Sequence, residues 1–210
     1  MGMLTGITST TVNIETLWCA TTTNSIIRNN FTNNTNTGNF TVVAAAFSDS
    51  IGNYSFIGGG FGQTIFNDFS SIGGGFNNTT SGYTNFIGGG GHNLTDGPYS
   101  SIQSGFGNRA IREFSIIGNG IGNYNVGNFG AILNGSFNTG YSAYTTVING
   151  AGHRAEGEFS LIGNGLRNKI TGNTAFNTIL NGYDHVISDE VFNSGIIAGI
   201  QNFINTGVSN

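Results

Sequence analysis

Proline and cysteine each occur once in 210 residues, and only 8% of the chain is charged. Each shortage removes a class of explanation. A lone Cys19 can close no intrachain disulfide, so no cystine framework organises the fold. Six basic residues against ten acidic ones leave a net charge of −4, too few cations for a stripe that follows nucleic-acid phosphates. No run of about 18 apolar residues is present, so no inserted helix and no membrane insertion are expected. The opening segment, MGMLTGITSTTVNIETLWCATTTNS, lacks a basic stretch followed by an apolar run and does not read as a secretory signal peptide. That favours a protein released with a virus particle over one that exports itself. Disorder is disfavoured too, because low charge comes with 12% aromatic residues. The 36 glycines follow no Gly-X-Y period, which excludes collagen.

What the chain does have is a repeat. Residues 57–90 read IGGGFGQTIFNDFSSIGGGFNNTTSGYTNFIGGG. Glycine recurs at a step of fifteen, at Gly60, Gly75, Gly90, Gly105, Gly120, Gly135, Gly150 and Gly165. Three residues earlier stand Ile57, Ile72, Ile87, Ile102, Ile117, Ile132, Val147 and Ile162. Six residues earlier the slot is aromatic, at Tyr54, Phe69, Tyr99, Phe114, Phe129, Tyr144 and Phe159, with Thr84 beside Tyr83 as the gap. Three residues later come Gln63, Asn78, Asn93, Asn108, Asn123, Asn138, His153 and Asn168. Downstream, Gly182 and Gly199 follow at steps of seventeen.

A unit of fifteen is too short for a helical repeat and fits one coil of a parallel β-solenoid or β-roll, with two short strands and two tight turns. The expected fold class is therefore all-β. Coils stacked about 4.8 Å apart give a rod about 50 Å long, with ladders of Ile, of rings and of amides. The Asn column is expected at a turn, where Asn tolerates left-handed backbone. The division expected is residues 1–37 as an extended attachment segment and 38–205 as the solenoid, regular over 53–172 and irregular with wider coils over 173–205. Because strand residues alternate faces, Tyr54 and Ile57 should point opposite ways and load both faces with apolar groups. A coil this thin covers only one face from within, so a homotrimer that covers the other is expected.

Units such as YSFIGGGFGQ, FSSIGGGFNN and FSIIGNGIGN resemble the glycine-rich repeats of bacteriophage fibre proteins and the short repeats of trimeric autotransporter adhesin heads. The resemblance implies a left-handed parallel β-roll in which three chains interlock. It covers residues 53–172 well and the flanks weakly. The adhesin unit is nearer fourteen residues and carries Ala where this chain has Asn or Gly. The resemblance implies a non-enzymatic structural protein on a virion surface, a fibre or spike, joined to other virion structural proteins through its first 37 residues and meeting host-surface glycan. The alternative it implies is the head of a bacterial surface adhesin. No adhesin barrel anchor, coiled-coil stalk or self-cleaving chaperone tail is visible.

The motifs that could carry chemistry have structural readings. GGGFG and GNGIG superficially match phosphate-binding loops, but no helical segment follows them. Acidic residues occupy varied slots, so no calcium ladder of the nonapeptide kind exists. Glu156 and Glu158 form a candidate carboxylate pair for glycan cleavage, with a solvated turn as the simpler reading. His92, His153 and His185 raise the possibility of metal ligands around a trimer axis, with substitution in the amide ladder as the simpler reading. Arg109, Arg154 and Lys169 share one slot and suggest a modest basic stripe interrupted by Tyr124 and Thr139. No thiol chemistry is expected of Cys19, no Thr array suited to ice exists, and no cofactor is expected.

Overall fold

The computed structural model describes residues 34–172, 174–188 and 190–205, together with the backbone of Trp18–Thr21 and Ser25–Arg28. The latter two segments are strands β1 and β2, paired antiparallel. From β2 onward every pairing is parallel. The strand β2 lies beside β4 (Val42–Val43), and the even-numbered strands continue through β6 (Phe56–Ile57) and β8 (Ser71–Ile72) to β24 (Gly195–Ile196), which together with β1 make a thirteen-stranded sheet. The odd-numbered strands from β3 (Thr35–Asn36) to β25 (Phe203–Ile204) form a second sheet of twelve. The chain alternates between the two sheets coil after coil. It is a parallel β-solenoid. In the regular region Phe86 pairs with Ser101 and Ile87 with Ile102, a step of fifteen. The step is shorter where Val42 meets Phe56 and longer where Leu161 meets Thr178.

Each named solenoid strand is only two residues long because the first faces out and the second faces in. Ile57, Ile72, Ile87, Ile102, Ile117, Ile132 and Ile162 are fully buried, and Ile65, Thr80, Thr95, Ala110, Asn125, Ala155 and Ile170 face them from the other sheet. The interior is thus about one side chain deep. A β-branched Ile suits such a column, since its restricted χ1 repeats identically from coil to coil. A third ladder of single-residue bridges runs through Phe61, Phe76, Gly91, Phe106 and Ile121. It was not expected from the two-strand reading of the coil, because residues on both sides of it are turn residues and leave no strand-length pattern.

The corners carry the second difference. The expected left-handed Asn column does not exist. Asn78, Asn93, Asn108, Asn123, Asn138 and Asn168 are buried and absent from the left-handed positions, which fall one residue earlier, as at Asn77 with φ 50° and Phe137 with φ 54°. The other left-handed corner holds the aromatic column: Tyr54 at 53°, Phe69 at 57°, Phe114 at 55°, Phe129 at 56°, Tyr144 at 57° and Phe159 at 51°. Left-handed backbone costs a residue with a Cβ about 1–2 kcal/mol. The return is directional. Strand N–H groups donate to the following coil, as Phe56 does to Ser70 at 3.1 Å, whereas Tyr54 donates back to Asn39 at 2.8 Å and Phe114 back to Pro98 at 3.0 Å. Flipping the corner peptide thus satisfies an N–H that would otherwise have no partner. It also corrects the reason for sidedness: Tyr54 does face out and Ile57 in, but Tyr54 sits on a turn rather than in the strand.

Candidate functional site

The repeat glycines sit at the opposite corner. Gly60, Gly75, Gly90, Gly105, Gly120, Gly135, Gly150 and Gly165 all have positive φ, from 89° at Gly90 to 118° at Gly120. A Cβ on Gly120 would overlap the carbonyl oxygen of Gly135 in the next coil. Shape and conformation therefore both require glycine there.

The amide column forms a spine inside the rod. Asn123 donates its own N–H to Asn108 Oδ1 at 3.0 Å, and its Oδ1 accepts the N–H of Asn138 at 3.0 Å. Its Nδ2 donates to Asn119 O at 3.2 Å and to Gly135 O at 3.0 Å. Asn78, Asn93, Asn108, Asn138 and Asn168 repeat this pattern. Each amide thereby pairs the N–H of the next column residue and the carbonyl four residues before it, and adds a second donor to a glycine carbonyl that already accepts a backbone N–H. The substitutions in the column fit less completely. Gln63 Oε1 accepts the N–H of Asn78, but its Nε2 has no partner. His153 Nδ1 accepts the N–H of Asn168 at 3.1 Å and His185 Nδ1 that of Asn202 at 3.0 Å, while both Nε2 atoms are unpaired. Burial pushes the His153 imidazole below its ordinary value of 6.5, against smaller opposing effects of backbone groups at Asn149 and Asn168. Both histidines are interior, which removes them as metal ligands at a surface. His92 instead lies on the outside, its ring edge-on between Phe76 and Phe106 at 5.2 and 5.0 Å.

A second polar column escaped the sequence reading. Ser55, Ser70, Asn85, Ser100, Ser115, Thr145, Ser160 and Asn177 are buried directly after the aromatic slot. Asn85 Oδ1 accepts the N–H of Ser100 and Asn177 Oδ1 that of Ser194. The signal was present as a recurring Ser, Asn or Thr, interrupted by Gly130.

The outside of the rod has two unlike sides. On one edge the rings stack nearly parallel: Tyr99, Phe114, Phe129, Tyr144, Phe159 and Phe176 follow one another at 4.7–5.1 Å. Each ring covers its neighbours' faces, leaving edges to solvent. Beyond this edge lies the outer surface of the even-numbered sheet and the glycine corner. Residues 54–61, 69–76, 84–91, 99–106, 114–121, 129–136, 144–151, 159–166, 176–183 and 193–200 line it without one Asp, Glu, Lys, Arg or His. All charges among the described residues lie elsewhere on the coil. Arg109, Tyr124, Thr139, Arg154 and Lys169 form one row on the odd-numbered sheet. Within it Arg154 pairs with Glu156 and lies 4.9 Å from the Tyr141 ring centroid. Glu156 also accepts the N–H of Gly172 at 3.3 Å. It is therefore committed to structural contacts, while Glu158 sits at the next corner in a bridge to Ala175. At Asp68 the backbone N–H of Asn53 holds the carboxyl below its ordinary range, helped by Tyr83.

Among the described residues no group of three or more His, Cys, Asp or Glu is placed to hold a metal ion. No helix of the described residues is long and apolar enough to cross a membrane. Compared with known proteins, no family model matches the chain and no curated protein is similar to it.

Proposed function

We propose that this solenoid is the shaft of a fibre or spike: a structural protein without an active site of its own, assembled as a homotrimer and projecting from a virion surface. One observation carries the reading. Hydrogen bonds between coils and a column of buried Ile and Val continue along the described coils, with stacked rings beside most of them, a construction that resists bending. The segment before residue 34 lies largely outside the described residues, and in this reading it joins the shaft to other virion structural proteins. Host-surface glycan is the ligand this role implies, and the exposed ring edges, with Arg154 over the Tyr141 ring and Arg167 over the Tyr183 ring, offer it apolar and cationic contacts.

Cryo-electron microscopy of the native source tests the assignment. Rods of matching cross-section on virus particles are the expected result. The same rods on a bacterial envelope would replace the assignment with a surface adhesin head, the role implied by the likeness of the YSFIGGGFGQ-type units to adhesin repeats. Hydrolysis of capsule or glycan by the purified chain, lost on Glu156→Gln or Glu158→Gln, would overturn the non-enzymatic reading.

A further inference from the structure

Resting on the self-association proposed above, we infer that copies of this chain meet through the uncharged face of the even-numbered sheet, with Gly59, Gly74 and Gly89 at the points of closest approach. Between β6 and β24 this face is about 45 Å long and about 16 Å wide, from strand spacing and rise per residue. That is roughly 700 Å², close to the ~800 Å² each partner gives to a stable complex. Phe56, Phe86, Ile116, Leu133, Leu180 and Ile197 project from it, with Ile197 76% exposed.

The absence of charge selects the occupant. A second copy presents the same face, and like charges meeting there would repel; none are present. A partner recognised through Asp, Glu, Lys or Arg would find no counter-charge on this side, since the charged residues stand on the rest of the coil. The glycines supply an independent observation. Gly60 and Gly75 are required by positive φ and by the neighbouring coil, but the glycines just before them are not. A Cβ on Gly59 would meet nothing within 4 Å, and one on Gly74 would come no nearer than 3.8 Å to any atom of the chain. Neither has positive φ. The single chain therefore gives no reason for a glycine at these positions, whereas the backbone of another copy lying against them does.

Sedimentation at micromolar concentration tests the inference with three variants of the full chain. Gly74→Glu with Gly89→Glu places carboxylates on the face without strain. Asn134→Asp with Asn149→Asp does so isosterically at exposed amides of the same corner, and so answers for the first pair should it misfold. Thr79→Glu with Thr139→Glu adds the same charge to the odd-numbered sheet. The expected result is a multimeric wild type and control, with both face variants dissociated and at least about tenfold weaker in assembly per buried carboxylate, their circular dichroism unchanged. Multimers in all three variants would overturn this face while leaving self-association intact. A monomeric wild type would overturn both.

Discussion

One amide in the spine serves three backbone groups, and two of them have no other partner. Asn123→Ala strands the N–H of Asn138 and the carbonyl of Asn119, while the Gly135 carbonyl keeps the N–H of Ile121. The expected loss is about 2–4 kcal/mol, limited because a water can enter the vacated volume; denaturant unfolding measures it. Adjacent glycines make a sharper comparison. Gly75→Ala forces a side chain into a φ of 105° and into the Gly90 carbonyl, and is expected to cost more than about 2 kcal/mol. Gly74→Ala meets only the Gly59 carbonyl at ordinary contact distance, so the fold itself should lose no more than about 0.5 kcal/mol. The two thermal transitions, compared in the same buffer, decide whether the triplet glycines play different parts.

At the scale of the element, the spine is a polar device threaded through an apolar rod, and His153 is its titratable link. Burial of the ring, whose Nδ1 accepts the N–H of Asn168, favours the neutral form in the folded state, so its value lies below 6.5. Because the folded value is depressed, the stability this link contributes is present above 6.5 and is lost as pH falls through the folded value. The groups around it add no compensating charge: Arg154 and Lys169 flank it on outward-facing positions, and Glu156 is held by Arg154. Unfolding midpoints between pH 8 and pH 5 should fall on the acid side in the wild type and flatten in His153→Asn, which also restores the two missing donor contacts. How much of these elements the sequence exposed follows from stacking. Gly60 and Ile57 were legible because every coil imposes the same demand on the same slot. The Asn slot was equally visible but assigned to a turn, since residue statistics describe Asn at left-handed corners and do not register an amide facing inward. Tyr54 and its successors were unreadable as corner residues for the opposite reason: a bulky ring is a poor choice for left-handed backbone, and only the return hydrogen bond to the preceding coil makes it tenable. Gly59 and Gly74 looked like the rest of their triplets until the space around each was known.

For the whole molecule, stability is a sum of weakly stable coils and the interfaces between them. No coil encloses a core by itself, since the inward Ile of one coil packs against those above and below. Removing residues 98–112 takes out one complete period and joins Gly97 to Glu113 with every column still aligned. The shortened chain is expected to fold, with the same circular dichroism per residue and a slightly lower melting temperature. Removing residues 98–111 instead leaves one coil a residue too long, which must bulge at a corner as the longer step between Leu161 and Thr178 does, so the melting temperature should fall further than in the first case. A shortened chain that fails equally in both cases would show that the coils are not interchangeable. The same arithmetic operates on the gene. One period is a whole number of codons, so a replication slip across it preserves reading frame and cross-section together. Lengthening or trimming the shaft is therefore open to inheritance in single mutational events, with no new interior to be invented.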